Sequence, residues 1–267
     1  MRMIGWAALA AAAVTGVAAQ AQDDLDATIV RTDYGIPHVT ADSWEGIGYG
    51  VAYAYAQDNF CLLAEEFVTI RGERSMYFGP EGKVLHGSQE VDNLSSDVFM
   101  RSVIDLPRLR AGAGAQGREA NLLAAGYVAG YNRFLRDAGT EGIPAECRGK
   151  PWVKPITNDD MLRLTEKQML LASAMPFLPA IANAAPPGVP AQASAMDLPE
   201  REDMGVGSNG WAFGGDVTQD GRGLVIGNPH FPWQGPNRFW QVHATIPGKL
   251  DVMGSTLAGG PIPTLGR

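Results

Sequence analysis

The chain has 267 residues, 45% of them hydrophobic and 19% charged, which gives enough apolar material to bury a sizeable core in one large domain or two small ones. Its formal net charge of −8 argues against nucleic acid as a partner, because such surfaces are basic, and favours solubility.

The first 22 residues read "MRMIGWAALAAAAVTGVAAQAQ": one positive charge at Arg2, then an apolar run over residues 4–17. That run is too short to span a bilayer. It ends in Ala19-Gln20-Ala21, a small-x-small cleavage pattern, so residues 1–21 read as a secretory signal peptide cut before Gln22. The expected product is soluble, periplasmic or secreted, with no membrane partner. Export also bears on the two cysteines, Cys61 and Cys147. An even pair in an oxidising compartment is by default a disulfide, with two buried free thiols as the alternative. Neither has a second Cys or His at ligand spacing, so no metal site is expected.

Next in the chain, "ATIVRTDYGIPHVTA" alternates apolar residues around a Gly-Ile-Pro turn and predicts short strands. A helix follows, opened by Asp42 and Glu45 as a capping box and striped by Ile47, Val51, Leu62, Leu63, Phe67 and Ile70. A second helix is expected over residues 121–136. A third starts at Thr157, with Asp160 three residues on. The paired carboxylates Glu65-Glu66 and Asp159-Asp160 are expected on solvated helix faces and caps. The first 180 residues or so are thus mostly helical. Residues 182–207 are rich in proline and alanine and lack apolar periodicity, so they read as a flexible linker. Beyond it the pattern turns to strands: residues 211–213, a turn at Asp220-Gly221, residues 224–226, then further β-type sequence. Trp211 and Trp240 are expected as core or wall residues, and His38, His86 and His243 are given no role.

At the join stands "GVGSNG", residues 205–210, which spells the G-x-G-x-x-G of dinucleotide loops. Such a loop must follow an apolar strand and open a helix. Here the acidic "MDLPERED" precedes it and strands follow, so that reading fails. The hydrolase elbow G-x-S-x-G fails as well, because Val206 stands where glycine is needed. A third chemistry fits the layout. A serine at a chain's N-terminus is activated by its own α-amine, whose unperturbed pKa is about 8, close to neutral pH. A flexible linker ending in Gly207-Ser208 supplies an accessible bond whose cleavage creates that terminus. Asn209 needs no explanation beyond a tight turn.

"GSNGWAFGG", "GRGLVIGNPHFPW" and "GSTLAGGPIPTLG", together with the upstream "YGIPHVTA" and "ECRGKPWVKPIT", resemble the penicillin-acylase family of N-terminal-nucleophile (Ntn) hydrolases, in particular its aculeacin-type and acyl-homoserine-lactone acylases. The resemblance implies an α+β fold, the four-layer αββα sandwich, of which this chain holds the α chain (residues 22–181), the 182–207 spacer and the start of a β chain (residues 208–267). It implies autocatalytic cleavage between Gly207 and Ser208, with Ser208 as nucleophile and His230 orienting its amine and hydroxyl. Phe231 would line the acyl pocket, and Cys61 would pair with Cys147. The implied partners are a small-molecule N-acyl amide substrate and the second chain of an α/β heterodimer cut from one precursor; no cofactor is implied. Family β chains continue for several hundred residues. This one stops at Arg267, and the two oxyanion donors would lie beyond it, so the 267-residue product is expected to be inactive and poorly folded by itself. The competing expectation is a non-catalytic extracytoplasmic binding protein that keeps the fold without processing.

Overall fold

The computed structural model describes residues 25–86, 89–171, 173 and 207–266. The expected signal peptide and nearly all of the expected linker lie outside the described residues.

Strands β1 (Thr28–Arg31) and β2 (Pro37–Thr40) form the predicted hairpin, turning through Gly35 at φ 80°. Helix α1 (Trp44–Arg71) follows. Its cap is Ser43 and not the expected Asp42: the Ser43 hydroxyl accepts the Gly46 N–H at 3.0 Å. Ser43 has the extended backbone that an N-cap requires, and its oxygen stands three residues before the donor it satisfies. The expected stripe is buried at Ile47, Val51, Leu63, Phe67 and Ile70. The helix ends at Gly72, whose φ of 63° closes it in the left-handed region.

Helix α1 packs against a later helix through residues without side chains. A Cβ at Gly126 would overlap the Glu45 carbonyl, one at Gly130 the Tyr49 carbonyl, and one at Gly48 the Leu123 carbonyl. The two helix backbones therefore touch, and Phe60, Phe67 and Tyr131 fill the flank of the contact with rings 5.4 Å apart. The partner helix runs Arg118–Ala138, wider than the expected 121–136.

Between these helices lies a stretch the sequence pattern left undivided. It holds α2 (Arg74–Phe78), the hairpin β3 (Lys83–His86) and β4 (Gln89–Asp92), α3 (Asn93–Val103) and α4 (Leu106–Ala113); the helix Arg118–Ala138 is accordingly α5. The last helix, α6 (Asn158–Leu171), begins as expected: the Asp160 carboxylate accepts the Thr157 N–H at 2.8 Å. Cys61 and Cys147 form a disulfide with Cα atoms 5.6 Å apart, which excludes the free-thiol alternative and ties α1 to the loop after α5.

From Gly207 onward come β5 (Gly207–Phe213), β6 (Leu224–His230), β7 (Trp240–Ile246), β8 (Leu250–Thr256) and the short β9 (Leu265–Gly266). Strands β7 to β9 join the N-terminal hairpin in one sheet of order β1-β2-β7-β8-β9, with β2 and β7 parallel and the other neighbours antiparallel. One face of this sheet puts Val39, Val242, Ala244 and Ile246 into the core under α1. The other carries His38, Thr40, His243, Thr245 and Asp251, as the period of two requires. Strands β5 and β6 form a separate two-stranded sheet.

Candidate active site

Strands β5 and β6 pair along their whole length, with Gly207 opposite His230, Ser208 opposite Pro229 and Asn209 opposite Asn228. Side chains alternate along a strand, so Asn209, Asn228 and His230 share one face with Gly207, and Ser208 stands on the other. The Ser208 hydroxyl donates to the carbonyl oxygen of Gly207 at 2.7 Å. It is therefore bonded to the very peptide group whose cleavage would free its own amine. Across the hairpin, His230 lies against the same residue: a Cβ on Gly207 would stand 3.6 Å from Nδ1. Its other nitrogen, Nε2, meets the amide nitrogens of Asn228 at 3.0 Å and Asn209 at 3.3 Å. The structure thus adds two asparagines beside His230 that turn chemistry alone did not select. The signal that finds them is β-register: they occupy the next pair on the same face as Gly207 and His230.

Almost the whole hairpin is exposed. Trp211, expected in a core or wall, keeps 49% of its surface, and Val225 keeps 75%. No other strand pairs with β5 or β6 among the described residues, and this leaves the apolar side chains uncovered. Trp240 does serve as a wall: its ring meets Tyr55 edge-on at 5.0 Å, and its indole N–H donates to Asp58 at 2.8 Å. Arg238 donates to Asn59, the one residue inside α1 with non-helical dihedrals (φ −144°, ψ 33°). Phe231, the expected pocket residue, is half-buried against Phe239 at 4.8 Å. The segment from His230 into β7 is thus held by α1 at its far end.

Beside that segment is a cavity of about 270 Å³ lined by Glu65, Glu66, Arg74, Lys83, Gly235 and Pro236. Glu66 and Asp160 depart from the expectation of solvated carboxylates, although Asp160 does cap its helix. Glu66 is buried and ion-paired with the buried Lys167, while Glu65 reaches Arg74 at 2.9 Å. Asp160 is also buried and takes a two-pronged bond from Arg71 at 2.7 and 2.8 Å. Burial pushes its carboxyl up, but the Arg71 and Thr157 hydrogen bonds outweigh that and hold it below the usual carboxylate range. His86 lies behind this cluster, with Nε2 on the Ser96 hydroxyl at 2.8 Å. Burial, with Lys167 and Arg74 nearby, lowers its imidazole to about 3, so it is neutral at physiological pH. These groups tie α1 to α2 and to α6.

On the sheet's polar face, His38 Nδ1 and His243 Nδ1 stand 2.8 Å apart, and His243 Nε2 meets Asp251 at 2.7 Å. Two imidazole nitrogens at that distance share a single proton. The hydrogen bond from His243, then that from Thr245, keeps the Asp251 carboxyl below its ordinary value. The pair joins residues 205 positions apart, which no local pattern reveals. Among the described residues no group of three or more His, Cys, Asp and Glu side chains is arranged to hold a metal, and no helix is long and apolar enough to cross a membrane.

Comparison with known proteins places these residues in context. The family model for penicillin amidase matches residues 26–267. The acyl-homoserine lactone acylase PvdQ of Pseudomonas putida is 44% identical over 100% of this chain and 35% of its own length. The aculeacin-A acylase of Actinoplanes utahensis is 37% identical over 90% of this chain and 32% of its own. The chain therefore spans about a third of the length of the curated relatives it matches. Among solved structures, a thermostable penicillin G acylase from Alcaligenes faecalis is similar with a TM-score of 0.48 at 24% identity, covering 59% of this chain and 80% of that one.

Proposed function

Because the chain belongs to the penicillin amidase family, we propose that it forms part of an exported acylase. The enzyme would hydrolyse the acyl amide bond of N-acyl homoserine lactones, lipopeptides or β-lactam antibiotics. The observation that carries this reading is the Ser208 hydroxyl bonded to the Gly207 carbonyl at 2.7 Å, with His230 across the hairpin from the same peptide.

Maturation and turnover use the same atom. Ser208 Oγ attacks the Gly207 carbonyl carbon, the Gly207–Ser208 amide gives way to an ester, and water hydrolyses that ester to leave a new α-amine on Ser208. The amine then takes the hydroxyl proton when Oγ attacks a substrate amide, returns it to the leaving amine, and water releases the acyl group. His230, opposite residue 207, is the side chain best placed to orient the new amine. Phe231, packed on Phe239, supplies an apolar wall of the kind an acyl chain needs. Residues 22–181 and those from 208 onward belong to the two chains of a heterodimer in the periplasm or outside the cell, and the β2·β7 pairing is one seam that holds them together.

The test uses protein expressed from the complete gene and N-acyl homoserine lactones of several chain lengths, with release of the free lactone amine as readout. Ser208→Ala is expected to lower turnover by at least about 1,000-fold while substrate binding persists. Wild-type turnover in that variant would remove Ser208 from the chemistry.

A further inference from the structure

We propose that Asn209 and Asn228 are positioning residues for His230: they fix its neutral ring with the proton on Nδ1 and turn that N–H toward the Gly207–Ser208 peptide. The inference rests on the reading of that peptide as the bond to be cut. Three observations combine. First, the register of β5 and β6 puts Asn209, Asn228 and His230 on one face with Gly207. Second, both asparagine amide nitrogens approach the same ring atom, Nε2, at 3.3 and 3.0 Å. An amide nitrogen donates and does not accept, so Nε2 is the acceptor, and the single proton of a neutral imidazole is on Nδ1. Third, Nδ1 is the ring atom that faces Gly207, 3.6 Å from where its Cβ would stand.

The consequence is chemical. A lone pair at Nδ1 would make His230 a base for the serine hydroxyl; an N–H makes it a donor that polarises the peptide under attack. The serine side agrees, because Ser208 Oγ sits on the opposite face and already gives its proton to the Gly207 oxygen. In the cleavage step the Oγ–carbon bond forms as the bond from Gly207 carbon to Ser208 nitrogen breaks. The hydroxyl proton ends on that nitrogen, which leaves as the amine. His230 neither gains nor loses a proton over the step. The asparagines thus set which role the histidine plays before the chain is cut.

The experiment reads the ring directly. Protein expressed from the complete gene and carrying Ser208→Ala, which is expected to stay uncut, is labelled with ¹⁵N, and long-range proton–nitrogen correlation above the imidazole titration shows which nitrogen carries the proton. His230→Gln identifies the His230 signals as those it removes. The buried His86 reports folding in the same spectrum. The expected result is a His230 ring protonated on Nδ1, reverting in the double variant Asn209→Ala, Asn228→Ala to the Nε2–H form that unconstrained histidines favour. A majority Nε2–H ring in the parent, or a ring unchanged in the double variant, overturns the proposal. On the Ser208 background from the complete gene, the double variant is expected to slow cleavage about tenfold; an unchanged rate overturns the polarising role. An uncut wild-type protein whose ring carries the proton on Nδ1 would sink the scissile-bond reading and uphold the ring assignment, and a cut protein with an Nε2–H ring would do the reverse.

Discussion

Two pairs of seven-residue strands from the same 60-residue stretch meet opposite fates. Strands β7 and β8 share a sheet with the N-terminal hairpin, and Val242 and Ala244 are fully buried under α1. Strands β5 and β6 have nearly as much apolar material, yet Leu224, Val225 and Ile226 remain exposed at 50%, 75% and 47%. The difference lies in partners rather than in composition. Strand β7 finds β2 and the helix behind it, whereas no strand or helix covers the hairpin among the described residues. The lesson is a division of labour. The glycine-faced helix pair and its sheet hold the molecule together, and the Gly207–Ser208 peptide sits on a hairpin whose own contacts contribute little to that.

That comparison can be broken by substitutions on either side of it. The largest effect is expected from opening the Cys61–Cys147 disulfide by Cys61→Ser and Cys147→Ser together. This frees a long loop and should lower stability by about 4 kcal/mol in chemical denaturation. Next comes Asp160→Asn, which leaves the half-buried Arg71 without its anion and should cost about 3 kcal/mol.

Acid should act in the same direction. His86 must charge when the chain unfolds, because its folded-state value of about 3 lies well below the 6.5 of a free imidazole. The unfolded chain therefore binds more protons between those limits, so stability is full above pH 6.5 and falls as the pH drops toward 3. The expected loss is on the order of 3 kcal/mol by pH 4, and His86→Gln should flatten that slope in thermal melts. Gly126→Ala pushes a methyl into the Glu45 carbonyl and should cost about 2 kcal/mol. The smallest effect belongs to the other region: Val225→Thr on the hairpin should change stability by no more than about 0.5 kcal/mol. A large loss there would mean that the hairpin is covered and that the contrast is wrong.

Much of this was legible in the sequence. The stripe of α1, the Thr157 and Asp160 start of α6, the Asp220-Gly221 turn and the strands after the linker follow from periodicity and turn chemistry. In that turn Gly221 has a φ of 71°, and the Asp220 side chain accepts the Arg222 N–H. Residues 74–113 were not legible, because their elements are too short to show a period. Nor was the burial of Glu66 and Asp160, whose partners Lys167 and Arg71 stand 101 and 89 residues away. At the site, Ser208 was read from the linker that ends at it and His230 from motif resemblance, while Asn209 and Asn228 emerge only when register pairs them across the hairpin. The His38–His243–Asp251 contact likewise needs the parallel pairing of β2 with β7, which joins the two ends of the chain.

The account turns on one peptide bond, and the mass of the protein reads it. Protein from the complete gene, reduced and denatured, is expected to give two chains, the second beginning at Ser208, and a single chain when Ser208 is replaced by alanine. A single uncut chain with Ser208 intact, or a cut that persists in Ser208→Ala, would contradict the assignment of Ser208 as a nucleophile that frees itself.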